Sequence, residues 1–492
     1  MSQPNILFIM ADQWAAASVG CFGCDVAGVT PHLDELARSG TRFSRFYANV
    51  PVCGPSRATI FTGRSPAAHG VWHNNIEISA DTPLFTQHLR AAGYRTWGIG
   101  KFHFSPMQCY PPTDFGRLGF DEVSISEDPK HGPYLEWIRR DHPEWYPKAL
   151  AMSWPMPYLQ NYPPHDENLL PAWQEAAKKW VEPQKSTPFR NIFYPSPLPM
   201  ELHQTRWIAD SAIARLEKHD AAQPFFGVVS FVDPHDPYDP PTPYAQMFDA
   251  REMPPPIEQE WTREWCARDY AKFQDSMFGI KNFSAADWAQ LRALFYGSCR
   301  FVDDEIGRIL AALHQNGLQE NTVVVFLSDH GDLIGDHGLL MKGPWHYDKT
   351  VRCPLIVSGP QIPQNEVCDA LTCTLDIAPT IMGLAGVEAP PLEGKMLLEG
   401  EGWSEIALGT NASYVNTRGG CRTLISDEGW RLTLFPDGEY GELFDLKNDP
   451  NEQTNLFRDV KQQTRRLEMT ERLVGALARA IYPFPRGEFA EM

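Results

Sequence analysis

Short apolar runs that end in polar groups recur along this chain. Asn5 to Met10 (Asn-Ile-Leu-Phe-Ile-Met) closes on Ala11-Asp12-Gln13, and Arg95 to Gly100 delivers Lys101-Phe102-His103. Phe225 to Val232 ends in Asp233-Pro234-His235-Asp236-Pro237, and Thr322 to Leu327 carries Ser328-Asp329-His330-Gly331. Continuous apolar runs of this length predict buried parallel strands. Thr41 to Ala48 and Pro354 to Ser358 predict two more. Between them lie helical patterns over Pro31 to Ser39, Thr82 to Ala92, Ser284 to Gln315 and Asp376 to Leu384, the third closed by Asn316-Gly317. The alternation predicts an α/β fold with a doubly wound, mostly parallel sheet. Ligands of such sheets bind at the carboxyl ends of the strands, where the polar groups fall.

Two stretches break the pattern. From Ser105 to Pro224 regularity fades into proline and large aromatics, among them Trp137, Trp145, Trp154, Tyr158, Trp173 and Trp180. A long structureless stretch inside a domain reads as an insertion. Its rings could wall a substrate pocket, but packing of the insertion onto the core is the stronger reading for most of them. Pro254 to Asn282 is a second, partly helical excursion. Past about Gly409 the chain changes character. Ser413–Thr417, Arg422–Ser426 and Trp430–Leu434 predict an antiparallel meander, and Val460 to Ile481 a terminal amphipathic helix. The expected organisation is a catalytic unit over 1–408, with the insertion at about 105–224, and a smaller C-terminal α+β unit over 409–492.

Charge and cysteine usage narrow the function. With 43 Lys and Arg against 62 Asp and Glu, the formal net charge is −19, which argues against nucleic acid or an anionic membrane as partner. No apolar run reaches membrane-spanning length. No basic segment with an apolar stretch precedes the first strand, so a cytoplasmic site is expected. The ten cysteines lack framework spacing and suit reduced thiols; the Cys21/Cys24 pair, with no second pair at zinc-finger spacing, reads as structural.

The densest chemistry lies in Cys53-Gly54-Pro55-Ser56-Arg57-Ala58-Thr59-Ile60-Phe61-Thr62-Gly63-Arg64. Pro55 suits the first turn of a helix, and Gly63 ends it. Cys53 then sits where unpaired N–H groups and the positive dipole end gather, a place that stabilises an anion. Arg57, one turn on, shares its face. Alone, Cys53 would read as a small buried thiol.

This string resembles the signature of the formylglycine-dependent sulfatases of the alkaline phosphatase superfamily, C-x-P-x-R followed by T-G-R. Glu442-Leu443-Phe444-Asp445-Leu446-Lys447-Asn448-Asp449-Pro450-Asn451-Glu452 is similar to an acidic stretch near the C-terminus of that family. The resemblance implies an alkaline phosphatase-like fold, oxidation of Cys53 to Cα-formylglycine by a generating enzyme, and a divalent cation. It places Asp12, Gln13, residue 53, Asp329 and His330 at the cation. Gln13 replaces the family's frequent second Asp and His330 its frequent Asn, departures shared with relatives. Gln13 lowers the negative charge at the cation and His330 softens the site away from pure oxygen ligation; calcium stays the first expectation, with manganese its rival.

The same resemblance gives Arg57 the task of activating the formylglycine hydroxyl and Lys101 contact with nucleophile and sulfate. His103 becomes a base, His235 a substrate contact, and Lys342 the neutraliser of the leaving group. Asn74 or Asn75 is assigned to the transferring group, and His73 and His337 are weaker candidates. Singly, each strand-end group has an ordinary structural explanation; their convergence on one sheet edge does not. The expected activity is hydrolysis of a small sulfated sugar or aryl sulfate. Gln13 and His330 also resemble phosphonate monoester hydrolases, whereas Lys101 and His103 oppose that alternative. A non-catalytic binder of sulfated ligands is the reading if Cys53 stays a thiol. The insertion and the C-terminal helix could build an interface between copies of the chain.

Overall fold

Every residue of the first strand, Asn5–Ala11 (β1), is buried, because β1 lies at the centre of the main sheet. The computed structural model describes residues 3–480, apart from 75, 107–113, 154–167, 182–191, 259–266, 344, 400–401, 410–419 and 436–439. Thirteen further strands follow in chain order: Gly40–Phe43 (β2), Phe46–Tyr47 (β3), Arg95–Gly100 (β4), Glu122–Ile125 (β5), Phe225–Ser230 (β6), Thr322–Ser328 (β7), Leu355–Ser358 (β8), Glu366–Cys368 (β9), Thr372–Cys373 (β10), Glu405–Gly409 (β11), Arg422–Ser426 (β12), Trp430–Leu434 (β13) and Gly441–Asp445 (β14). Eight form one sheet in the order β5-β4-β6-β1-β7-β8-β2-β9. Neighbours run parallel except at β8, which is antiparallel to both β7 and β2. This is the mostly parallel α/β sheet expected from the sequence.

Side chains alternate across that sheet, so each central strand feeds two cores. Leu7, Ile9 and Ala11 of β1 and Val324 and Phe326 of β7 enter one core. Ile6, Phe8 and Met10, with Val323, Val325 and Leu327, enter the other. The first core is roofed by helices Pro31–Arg38, Gln204–Glu217 and Ala285–Gln315. The last is capped by Ser284, whose hydroxyl accepts the N–H of Asp287 while the Asp287 carboxylate accepts that of Ser284. The second core takes helices Cys53–Thr62, Phe85–Ala91 and Ile377–Leu384.

Two expectations need correction. Thr41 to Ala48 is not one strand. A turn at Ser44-Arg45 divides it, and β3 leaves the main sheet to pair with β10. Residues 105–224 are not structureless either. They hold the edge strand β5 and helices Pro133–Asp141, Tyr146–Ala151, Leu170–Trp180 and Gln204–Glu217. Most described rings pack inward: Trp137, Trp145 and Trp173 lie against a cluster of Tyr134, Leu135, Ile138 and Leu150. Trp154, Tyr158 and the expected strand Ser413–Thr417 lie outside the described residues.

The four strands β11 to β14 form a second, antiparallel sheet in chain order. The helix Gln463–Ala480 packs on it through Met469 and Leu473. Beneath the sheet, the buried Arg431 guanidinium lies 3.0 Å from Glu442 and pairs with Glu452. Glu452 in turn accepts the backbone N–H of Asp348 at 2.7 Å, tying the small sheet to the large unit. All eight described cysteines are free thiols. Among the described residues, no helix is long and apolar enough to cross a membrane.

Candidate active site

Strand register assembles the site. Ala11 of β1 faces Ser328 of β7, so the next residues, Asp12 and Asp329, emerge side by side. Ser230 of β6 faces both Met10 of β1 and Gly100 of β4, which brings Lys101 to the same edge. Gly100 has φ 93°, and a Cβ there would lie 1.9 Å from the Ser230 carbonyl oxygen. Only glycine permits that turn. Gln13 and His103, next to the strand ends, also adopt left-handed backbone at φ 65° and 54°.

Cys53 opens a helix, Cys53–Thr62, in which every residue is buried. Gly63 closes it in the left-handed conformation, as the sequence predicts. The helix aims Cys53 at the strand ends. Its sulfur lies 3.6 Å from Asp12 Oδ1, 3.2 Å from His330 Nε2 and 3.9 Å from Lys101 Nζ. Arg57 Nε donates to Asp329 at 2.7 Å, and its Nη2 donates to Asp12 at 3.0 Å. Ligand atoms of Asp12, Cys53, Asp329 and His330 all lie within 4.8 Å of one another. Nδ1 of His330 is 3.0 Å from the Gly331 carbonyl, which fixes the proton there and leaves the Nε2 lone pair facing the cluster.

Electrostatics match the geometry. Burial alone would raise the Cys53 thiol, but the Lys101 and Lys342 ammonium groups outweigh it and hold it well below the ordinary thiol range. Burial works against the Lys101 ammonium, yet Asp12 and Asp128 keep its pKa well above the usual lysine value. Burial, and next to it the Asp12 charge, push the Asp329 carboxyl up. Two buried carboxylates crowding one point are the donor set a cation would relieve.

A second layer holds the far wall. Lys342 Nζ donates to Gln13 Oε1 at 2.5 Å and reaches His235 Nε2. The Nδ1 of His235 donates to the Asp236 carbonyl at 2.7 Å. The amide nitrogen of Gln13 donates to Asp332 at 2.6 Å, so its side chain links Lys342 to this wall; its backbone N–H bonds Asp329 at 3.1 Å. On the near side, Asn74 Oδ1 accepts the Gly54 N–H at 2.9 Å, and His103 Nε2 lies 3.2 Å from the Asn74 carbonyl.

The structure thus brings together Asp12, Gln13, Cys53, Arg57, Asn74, Lys101, His103, His235, Asp329, His330 and Lys342. Asn75 lies outside the described residues. His337 instead stacks on Tyr347, with ring centroids 3.9 Å apart. Sequence reasoning missed Glu127 and Asp128. Glu127 Oε1 accepts the backbone N–H groups of Phe102 and His103 at 3.0 and 2.9 Å, and Asp128 lies 2.7 Å from Lys101. Both follow β5, a short, half-buried edge strand that the sequence pattern does not mark, so no signal there pointed to them.

The comparisons with known proteins follow the same lines. The family profile described as "Sulfatase" matches residues 4–387, and that described as "N-sulphoglucosamine sulphohydrolase, C-terminal" matches 335–479. An arylsulfatase of Clostridium perfringens is 29% identical over 475 residues, covering 94% of this chain and 92% of its own. An N-acetylglucosamine-6-O-sulfatase of Bacteroides thetaiotaomicron is 27% identical, over 96% of this chain and 86% of its own. The crystal structure of a phosphonate monoester hydrolase of Agrobacterium radiobacter superposes with a TM-score of 0.77 at 26% identity, covering 97% and 96% of the two chains. With a family match across most of its length and the C-x-P-x-R string at the centre of a buried polar site, the chain belongs to the sulfatase family and is a sulfuric ester hydrolase.

Proposed function

We propose that this protein cleaves the sulfate monoester of a sugar or aryl alcohol, with Cys53 oxidised to Cα-formylglycine and one divalent cation bound beside it. The observation that carries this reading is the gathering of residue 53, Asp12, Asp329, His330 and Lys101 at one point. Asp12, Asp329, His330 and the side chain at 53 would hold the cation; Gln13, also expected there, spends its Oε1 on Lys342 and its amide nitrogen on Asp332. With residue 53 as formylglycine three of these donors are oxygens, which suits a hard cation, calcium first, and the His330 imidazole makes manganese the rival. A divalent cation there supplies positive charge that acidifies a neighbouring hydroxyl and offsets charge on a transferring group. The aldehyde hydrate supplies two hydroxyls on one carbon, one to attack sulfur and one to release the sulfate afterwards.

The chain's own side chains do the remaining work. Arg57 orients Asp12 and Asp329 through separate guanidinium nitrogens. Lys101 borders residue 53 and takes the charge of the sulfate oxygens. His103, with Nε2 turned to a carbonyl, keeps Nδ1 as the proton acceptor. Lys342 and His235 stand together and serve the leaving oxygen. The N-acetylglucosamine-6-O-sulfatase relative supports a sulfated sugar as substrate.

Mass spectrometry of the Cys53 peptide, from protein made with a formylglycine-generating enzyme, tests the first half. A screen of sulfated sugars, aryl sulfates and aryl phosphonates with calcium or manganese tests the second. An unmodified thiol and no turnover would make the protein a binder of sulfated ligands instead. Phosphonate monoester hydrolysis is the second reading, favoured by Gln13, His330 and the likeness to the Agrobacterium enzyme.

A further inference from the structure

Asp128 is a carboxylate inside a site built for anions. It is buried, and Lys101 Nζ lies 2.7 Å from it, 2.8 Å from Asp12 and 3.9 Å from the Cys53 sulfur. The Nδ1 of His235 is 3.4 Å from the same carboxylate. Asp128 therefore touches one group assigned to the transferring sulfate and faces another assigned to the leaving oxygen.

Its place is fixed from three sides. Ser126 N–H bonds the Gly100 carbonyl at 3.0 Å, continuing the β4–β5 ladder. Glu127 grips the Phe102 and His103 amides. Gln204 Nε2 donates to the Glu127 carbonyl at 3.1 Å and to Ser126 Oγ at 2.7 Å. A carboxylate locked this way keeps its charge at the wall whatever enters.

The consequence follows from Coulomb's law. Lys101 divides its charge between two fixed carboxylates, so an incoming anion feels less of it. The repulsion from Asp128 grows with the charge of that anion. A sulfate monoester and a phosphonate monoester each carry one negative charge; a phosphate monoester carries up to two, its second proton leaving near pH 6.

We propose that Asp128 is a specificity-determining residue that restricts the site to singly charged transferring groups and disfavours dianionic phosphate monoesters. The proposal rests on the hydrolase reading above and sharpens its substrate class.

The test compares kcat/KM for 4-nitrophenyl sulfate, 4-nitrophenyl phosphate and a 4-nitrophenyl phosphonate monoester at about pH 8, where the phosphate is doubly charged. Asp128→Asn is expected to raise the phosphate-to-sulfate ratio by about ten-fold or more and to move the phosphonate-to-sulfate ratio by less than about two-fold. Asp128→Glu, which keeps the charge, should retain the ratios of the parent. If Asp128→Asn does not fold, Asp128→Ser removes the same charge and reads the same ratios. A proportional fall on all three substrates would overturn the proposal and leave Asp128 a structural partner of Lys101. If the parent protein turned over phosphorus esters but no sulfate, the sulfate reading would fail. The phosphate-to-phosphonate ratio of the variants would still decide the role of Asp128.

Discussion

The molecule buries two sets of charges, and they are built on opposite plans. At the edge of the large sheet, Asp12 and Asp329 crowd one point together with His330 and Cys53. Arg57 bonds the Oδ2 atom of each carboxylate, and their Oδ1 atoms are left facing His330 Nε2 at 3.8 Å each. Under the small sheet a single guanidinium, Arg431, sits between Glu442 and Glu452. The first set leaves like charges facing each other, with Asp329 pushed up by burial and by Asp12. The second is filled by its own cation. An arrangement that holds repulsion in place is suited to receive something, whereas one that cancels internally is suited to hold the chain together.

Four measurements would break or sharpen that contrast. The largest effect is expected from Cys53→Ala, which should lower turnover of an aryl sulfate by roughly 10⁴-fold or more. Its melting temperature should stay within about 4 °C of the parent, a change of no more than about 1 kcal/mol. Comparable turnover in the variant would remove residue 53 from the chemistry. Asp329→Asn should cost roughly 10³-fold in rate and weaken calcium binding in a titration, while unfolding stability holds or rises because a repulsion is relieved. A large loss of stability instead would make this cluster structural, like the other.

Arg431→Met should behave in the reverse way. It strands two buried glutamates and is expected to cost about 3 kcal/mol of stability in a denaturant titration, with turnover per folded molecule changed by less than about two-fold. The smallest effect is one of pH. Burial pushes Glu452 up to about 7 against the pull of Arg431. Its ordinary value is 4.5, so between these values the folded protein holds the proton more tightly than the unfolded chain. Stability from this group is therefore present at low pH and is lost as pH rises toward 7. Glu452→Gln should flatten that part of the stability profile, by about 1–3 kcal/mol across the window.

Legibility in the sequence followed burial. β1, β6 and β7 are apolar on both faces, and their runs stand out as strands with polar groups at one end. The Cys53 helix is marked by Pro55 and Gly63 and by the family string. The capped helix ending at Gln315 was plain as well. What stayed hidden has less internal pattern. β5 is a four-residue edge strand, half-buried over three of its positions, so neither alternation nor a continuous apolar run marks it. With β5 unseen, Glu127 and Asp128 had no strand end to sit on. The division between β2 and β3 depends on β10, more than three hundred residues away. No local signal carries that partner.

The left-handed backbone at Gln13 and His103 bears on how this protein can be re-engineered. At φ 65° and 54°, both positions reject β-branched side chains before any question of chemistry arises. A mutational library aimed at new ester chemistries should use a narrow alphabet there, centred on Asn, Asp, His, Gln and Gly. Broad randomisation at these two codons would mainly select against folding. The search for altered activity then starts from neighbours whose backbone is relaxed.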